Sequence, residues 1–203
     1  MHASIILDID GTVGPFPMSN FSIDKYGLVY SPEAESYYQP EVIETLRKLC
    51  EKVEIETGGT GSSGNAEDAE CRLKAGNTER DEQGYYADLT IYWGSSRSEE
   101  SCLSFGAGLG LPSLPFIINS EDRDSEGWNK HHAIKRLLYQ HPEEEIVWVD
   151  DEIKGAIKDG LIDDEIINSS RVLMISPSVE EGLTMKHLQD MHDFVLSHAP
   201  ISK

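Results

Sequence analysis

Short apolar runs alternate along this chain with longer segments that repeat apolar residues at helical spacing, and this alternation limits the possible folds most. The runs typical of strands are 4–8, 87–93, 114–118, 146–149 and 171–175. The segments typical of helices are 40–49, 98–108, 129–140 and 185–197. Strands that alternate with helices predict an α/β protein in which helices cover both faces of a parallel sheet.

The length of 203 residues and the 38 % of hydrophobic residues predict a single domain over residues 1–203. Within it, residues 13–40 are interpreted as a flap region with a β-hairpin at 21–30 that turns near Gly27. Residues 51–87 are rich in glycine and acids and poor in large apolar side chains. We expect them to form a flexible acidic insertion or a small cap, and the alternation over 53–57 favours a short strand at its start.

The charge balance narrows the choice of partners. The chain carries 17 Lys and Arg against 37 Asp and Glu, a net charge of −20. Long-range repulsion disfavours bulk nucleic acid at this charge and leaves a small molecule as the expected partner. We find no run long enough to span a membrane and no signal-peptide pattern, so no membrane partner is expected. Three scattered cysteines without metal-ligand spacing favour a reducing, cytoplasmic compartment.

Two of the apolar runs end in paired carboxylates. Asp8 and Asp10 follow the first run, and Asp150 and Asp151 follow the run at 146–149. Ligands of an open α/β sheet bind outside the carboxyl ends of its strands, so we expect these acids to converge. Like charges at short range raise the pKa of each acid, and a hard divalent cation relieves that repulsion. Mg²⁺ prefers carboxylate oxygen and binds alongside phosphate, which predicts a Mg²⁺ site; helix capping by each pair is the alternative.

The same two segments resemble motifs of a known superfamily. Residues 8–12 (Asp-Ile-Asp-Gly-Thr) resemble the first motif of the haloacid dehalogenase (HAD) superfamily, and residues 148–152 (Trp-Val-Asp-Asp-Glu) resemble its fourth. More narrowly, the chain is similar to a group of short HAD-like bacterial proteins of uncharacterised activity. The similar segments are 7–15, 21–30, 93–96, 110–115, Trp128, 148–152 and 182–184. The resemblance covers most of the chain outside 51–87 and implies a HAD-like Rossmannoid three-layer fold with a small β-hairpin flap.

The resemblance also implies an activity, that of a Mg²⁺-dependent phosphomonoester hydrolase with an aspartyl-phosphate intermediate. Asp8 would attack phosphorus as the nucleophile, and Asp10 would protonate the leaving oxygen and then activate water. Gly11 would let the backbone turn sharply at the phosphate, and Thr12 would fix this phosphate-binding loop.

In the same scheme the aspartates of both motifs hold the metal ion. The first motif would contribute the carboxylate of Asp8 and the backbone carbonyl group of Asp10. The fourth motif would contribute Asp150 and Asp151, of which Asp151 is favoured as a direct ligand.

The second motif of the superfamily requires a Ser or Thr at the end of a strand, where its hydroxyl group binds a phosphate oxygen. Two positions compete for this role. Thr57 has the shorter, more usual distance from the first helix. Ser95 and its neighbour Ser96 follow Trp-Gly and precede a helix, as in the narrower group, so we favour Ser95.

The third motif is a lysine that neutralises the phosphoryl group and the nucleophile. Lys130 is the preferred residue because it follows Trp128 closely and starts a helix. The narrower group more often has lysine directly after this tryptophan, where this chain has Asn129. Lys135 is the reserve candidate.

We therefore expect a phosphatase that acts on a small phosphorylated molecule. One alternative is a nucleotide or nucleic-acid-end phosphatase of the same fold, which a basic patch beside the site would support. Another is a non-catalytic HAD-like module that binds metal or regulates. The pair Asp8 and Asp10 argues against that module, since a simple metal site has no need for the second acid. Dehalogenation is the least expected activity because it requires no Mg²⁺.

Overall fold

The computed structural model describes residues 2–54, 88–124 and 127–197. In chain order the elements within these ranges are β1 (His2–Leu7), α1 (Asn20–Tyr26), β2 (Val29–Ser31), β3 (Ser36–Tyr38), α2 (Pro40–Glu54), β4 (Asp88–Trp93), α3 (Glu99–Gly108), α4 (Ser120–Asp124), α5 (Asn129–Gln140), β5 (Glu145–Val149), α6 (Ile153–Lys158), α7 (Asp164–Ile167), β6 (Val172–Ile175) and α8 (Met185–Ser197). None of these helices combines the length and the apolar character needed to cross a membrane.

The strands of the main sheet run parallel in the order β4–β1–β5–β6. Leu7 at the end of β1 pairs with Trp93 of β4 on one side and with Val149 of β5 on the other. Val149 pairs in turn with Ile175 at the end of β6. This register places the carboxyl ends of the strands at one edge, where the loops after β1, β4 and β5 begin.

Helices cover both faces of this sheet. Ile5 and Leu7 of β1 belong to one apolar cluster, and Ile6 between them belongs to the other, as the alternation of side chains in a strand requires. The first cluster includes buried residues of α2, α3 and α8, and the second includes buried residues of α5, α6 and α7. The predicted α/β architecture with a parallel sheet between helices is therefore confirmed.

The flap region differs from the prediction of a hairpin at 21–30, which was wrong. Residues Asn20–Tyr26 form helix α1 instead, and its N-cap Ser19 accepts a hydrogen bond from a backbone N–H of the first turn. Gly27 ends the helix with a φ of 62°, the left-handed conformation that glycine adopts without strain. The same glycine thus serves as a helix C-cap rather than as a hairpin turn. The antiparallel hairpin follows it as β2 and β3.

The prediction of a strand over 114–118 was also wrong. Only an isolated bridge forms there within the described chain, between Trp93 and Phe116. Trp93 N–H donates to the carbonyl oxygen of Pro115 at 2.8 Å, and Ile117 N–H donates to the carbonyl oxygen of Trp93 at 2.9 Å. Pro115 has no N–H group of its own, which limits a strand ladder at this position.

The predicted insertion at 51–87 lies for the most part outside the described residues. Helix α2 continues through Glu54, so the first two positions of the predicted strand at 53–57 are helical. The description resumes at Asp88, where β4 begins. Thr57, the competing candidate for the second motif, falls outside these ranges as well.

Candidate metal centre

Strands β1 and β5 deliver acidic residues of both motifs to one place. Because Leu7 and Val149 pair in register, Asp8 and Asp150 follow them side by side at the carboxyl edge of the sheet. Asp8 N–H extends the ladder by donating to the carbonyl oxygen of Val149 at 2.9 Å. One carboxylate oxygen from each of Asp8, Asp150 and Asp151 lies within 4.8 Å of the others. The structure thus brings together the three carboxylates that the resemblance assigns to the metal; the fourth predicted ligand, the backbone carbonyl group of Asp10, stays a prediction.

Lys130 supplies a positive charge to this cluster from the first turn of α5. Its Nζ atom lies 3.0 Å from Asp8 Oδ2, 2.8 Å from Asp150 Oδ2 and 3.4 Å from Glu152 Oε2. The Lys130 side chain is 2 % exposed, so these carboxylates replace the water that would otherwise solvate its charge. Lys135, the reserve candidate, pairs with the N-cap residue of α7 instead.

Burial and mutual repulsion disfavour the charged state of the carboxylates. Burial raises the pKa of Asp8 to about 6, opposed by the charge of Lys130 and reinforced by that of Asp150. Burial also raises the pKa of Asp151 to about 6, and repulsion from Asp8 and Glu152 acts in the same direction. The pKa of Asp150 is raised as well, chiefly by burial. Burial alone would lower the pKa of Lys130, but attraction to Asp8 and Asp150 outweighs it and the pKa is raised.

The donor set fits a hard divalent cation. Three carboxylates and one ammonium group leave two negative charges unbalanced when all are ionised. Asp8 Oδ1 is buried and accepts no hydrogen bond from the described residues, so it has lone pairs to offer. Asp150 is already engaged, because its Oδ1 accepts from Glu152 N–H at 2.9 Å and its Oδ2 contacts Lys130. Asp8 and Asp151 are therefore best placed to contact a metal ion directly, with Asp150 holding Lys130 beside them.

The loop after β1 is fitted closely to Asp151. Gly11 has a φ of +72°, and a Cβ atom built on it would lie 2.6 Å from Asp151 Cγ. A side chain at this position would therefore displace a candidate metal ligand. Thr12 is fully buried, and its Oγ1 accepts a hydrogen bond from Asp151 N–H at 3.1 Å and lies 3.5 Å from Asp151 Oδ1. Thr12 thus connects the loop after β1 to the loop after β5.

The side chain of Asp10 lies apart from the carboxylate cluster, in an ion pair with Arg97 that sequence analysis missed. Arg97 Nε donates to Asp10 Oδ2 at 2.8 Å and Arg97 Nη2 donates to Asp10 Oδ1 at 2.5 Å, a two-pronged arrangement. The Asp10 side chain is 35 % exposed and that of Arg97 is 30 % exposed. A single arginine in a polar loop carries no pattern that would have singled it out; only its position two residues after Ser95 was a usable signal.

Ser95 lies two residues after Trp93, the last residue of β4. It is fully buried, and its Oγ accepts a hydrogen bond from Arg97 N–H at 3.4 Å. Its hydroxyl group also acts on Asp8, where it opposes the rise of the pKa that burial causes. Ser96 is exposed. Ser95 therefore lies among the residues of the site, and the predicted phosphate-binding role of Ser96 stays a prediction.

Together, the fold and the site define an α/β protein whose parallel sheet carries a candidate metal centre at its carboxyl edge. Comparison of the chain with protein-family models, with curated proteins and with solved structures found no match.

Proposed function

We propose that the protein is a Mg²⁺-dependent phosphomonoester hydrolase of the HAD type that forms an aspartyl-phosphate at Asp8. The position of Lys130 is the observation that carries this proposal. A buried lysine that bridges Asp8 and Asp150 at 3.0 and 2.8 Å lies where a phosphoryl group bound to Asp8 would need a positive charge. Mg²⁺ held by Asp8 and Asp151 would supply further neutralisation of the phosphoryl oxygens.

In the first half of the proposed reaction, a carboxylate oxygen of Asp8 attacks phosphorus and forms a new bond to it. The bond between phosphorus and the leaving oxygen breaks, and that oxygen takes a proton from Asp10. Lys130 stabilises the charge on the phosphoryl oxygens during this transfer. Ser95 donates a hydrogen bond to one of them from the end of β4.

In the second half, Asp10 removes a proton from a water molecule whose oxygen attacks the same phosphorus atom. The bond to Asp8 breaks, inorganic phosphate leaves, and both aspartates return to their starting states. Each oxygen of Asp10 accepts one hydrogen bond from Arg97 in the structure, which leaves a second lone pair on each oxygen for the transferred proton. Arg97 therefore acts as a positioning residue that holds Asp10 for its proton transfers.

Asp8→Asn tests the assignment of the nucleophile. An amide in place of the carboxylate keeps the shape of the side chain but removes the attacking oxyanion, so turnover of p-nitrophenyl phosphate with Mg²⁺ should fall to background. Mass spectrometry of acid-quenched wild-type protein should show a phosphorylated species that the variant lacks. Asp190→Asn is the matched control, because Asp190 pairs with Lys186 on the surface of α8, away from the site. This control should retain wild-type turnover.

Near-wild-type turnover by well-folded Asp8→Asn would contradict the proposal. Mg²⁺ binding without turnover or phosphoenzyme would favour a non-catalytic metal-binding module instead. A 5′-phosphorylated oligonucleotide in the same assay tests the nucleic-acid-end alternative. We expect slow turnover of that substrate, because the net charge of −20 repels a polyanion at long range.

A further inference from the structure

Arg97 uses only part of its hydrogen-bonding capacity. Its Nε and Nη2 atoms hold Asp10, whereas Nη1 makes no hydrogen bond with any of the described residues. A guanidinium group carries five N–H donors in a rigid plane, so more than half of them stay available. The side chain is 30 % exposed, which leaves these donors open to a ligand.

Several contacts fix Arg97 in this position. Its guanidinium carbon lies 5.5 Å from the ring centroid of Phe105, a cation–π distance, and its backbone N–H donates to Ser95 Oγ. Ser98, the next residue, caps helix α3. Arg123 Nη2 reaches the carbonyl oxygen of Arg97 at 3.5 Å and brings a second arginine to the same side. The arginine is therefore held in place before any ligand binds, which lowers the entropy cost of binding an anion.

The position of Arg97 relative to the proposed chemistry indicates which part of a substrate it would meet. It follows Ser95 by two residues, and Asp10 follows Asp8 by two residues, so the ion pair joins the two loops that would bind the phosphoryl group. In the proposed function Asp10 serves the leaving oxygen. A cation that grips Asp10 from the neighbouring loop therefore lies on the side of the leaving group.

We propose that Arg97 determines substrate specificity by binding a second anionic group on the leaving portion of the substrate. This inference rests on the proposed function and deepens it. The substrate class is a small phosphorylated molecule that carries a carboxylate or a further phosphate close to the scissile phosphate. Guanidinium donors match the spacing of carboxylate and phosphate oxygens, and a fixed cation in a protein of charge −20 favours such a group locally.

Two competitors test the proposal: 3-phosphoglycerate and glycerol 3-phosphate, which differ by a carboxylate against a hydroxymethyl group. Each is measured as an inhibitor of p-nitrophenyl phosphate hydrolysis with Mg²⁺, so the result does not depend on whether it is hydrolysed. The wild-type protein should bind the carboxylate compound about ten- to a hundredfold more tightly, the range that a hydrogen bond to a charged group supplies. Arg97→Gln should abolish this preference, and Arg97→Lys should retain part of it.

The preference is a ratio, which separates recognition from the positioning of Asp10. Loss of Asp10 positioning in Arg97→Gln lowers kcat on p-nitrophenyl phosphate but affects both competitors equally. Lys186→Gln removes the same charge from the exposed face of α8 and should leave the ratio unchanged. If Arg97→Gln fails to fold, as judged by its melting curve, Arg97→Lys alone tests the proposal. A lower ratio of affinities for the two competitors than in the wild-type protein would support it.

Equal inhibition by the two competitors in the wild-type protein would overturn the inference and leave the proposed function standing. A preference that survives unchanged in the folded Arg97 variants would overturn it as well. Failure of the wild-type protein to hydrolyse p-nitrophenyl phosphate or to form a phosphoenzyme would instead overturn the proposed function, and the inference with it.

Discussion

At Asp8, Oδ2 contacts the ammonium group of Lys130 at 3.0 Å, whereas the buried Oδ1 accepts no hydrogen bond from the described residues. The ammonium group of Lys130 only partly compensates the negative charge of this carboxylate, and burial raises its pKa from 3.8 to about 6. A folded-state pKa above the unfolded-state value means that folding favours the protonated acid. The contribution of Asp8 to stability is therefore fully present below pH 3.8 and is lost as the pH rises through about 6.

This pKa shift predicts that Asp8→Asn unfolds at a higher temperature than the wild-type protein at about pH 7.5 with a chelator present, because the amide resembles the neutral acid. The advantage should shrink as the pH falls to about 5, where the wild-type acid takes up its proton. Melting curves of both proteins across this range measure the difference, in which the titration of groups remote from Asp8 cancels. An advantage that stays constant with pH would contradict the raised pKa of Asp8.

Residues that follow strand ends could be predicted from the sequence, whereas the partner of Asp10 could not. Asp8 and Asp150 were predictable because chain order and the parallel sheet together decide where they lie. Lys130 was predictable from its helix and its tryptophan, although the sequence left one competing lysine. Arg97 was not, because its ion pair joins loops that are far apart in sequence and that meet only through the pairing of β1 with β4.

Among the structural elements, the end of β4 positions both Ser95 and Arg97, and Gly94 sets how closely it approaches β1. A Cβ atom on Gly94 would overlap Ile6 Cγ2 in the neighbouring strand. Both residues are buried, so the sheet has little room to relax. The position of the backbone that leads into the site thus requires a residue without a side chain at position 94.

We predict that Gly94→Ala destabilises the protein by about 1–3 kcal/mol, the usual cost of overpacking a core. It should also lower turnover of p-nitrophenyl phosphate, since a shifted strand end displaces Ser95. Gly155→Ala is the matched control, because no heavy atom lies within 4 Å of its added Cβ in helix α6. The control should be neutral or stabilising by up to about 1 kcal/mol. Denaturant unfolding of both variants measures the difference, and equal stability of the two would contradict the close contact.

The periodicity of apolar residues predicted most of the core helices and strands. Prediction from the sequence failed at two segments in which a glycine or a proline determines the local structure. Helices α2, α5 and α8 were predicted because their apolar residues recur at helical spacing and bury one face, whereas the apolar spacing in α3 is much weaker. The segment at 21–30 was misassigned because Gly27 fits both a hairpin turn and a helix C-cap, and only the N-cap at Ser19 distinguishes them. The segment at 114–118 has strand composition but contains Pro115, and only a single bridge forms there.

For the molecule as a whole, the acidic net charge and the carboxylate cluster both destabilise the folded state, because negative charges repel one another. In a protein with a net charge of −20, the general repulsion raises the cost of placing three of its carboxylates together at one edge of the sheet. Lys130 relieves part of that cost within the cluster, and Arg97 relieves it at Asp10. A divalent cation at the cluster would relieve most of what remains, which makes ligand-dependent stability a direct measurement of the site.

We predict that Mg²⁺ raises the free energy of unfolding by about 2.7 kcal/mol at a hundredfold excess over its dissociation constant, as mass action requires for a ligand of the folded state alone. Beryllofluoride, a phosphoryl mimic that binds to an aspartate carboxylate, should add a second increment because it engages Asp8, Lys130 and Ser95 together. The second increment should require Mg²⁺ and should vanish in Asp8→Asn. Melting curves with each ligand alone and with both, on wild type and variant, measure the two increments.

KCl at matched ionic strength is the control for general screening. It should give less stabilisation than Mg²⁺, because a monovalent cation attracts the carboxylates of Asp8 and Asp151 less strongly. Stabilisation by Mg²⁺ without any further effect of beryllofluoride would mean that the centre holds metal without forming a phosphoryl-enzyme, and equal effects of KCl and Mg²⁺ would remove the metal site itself.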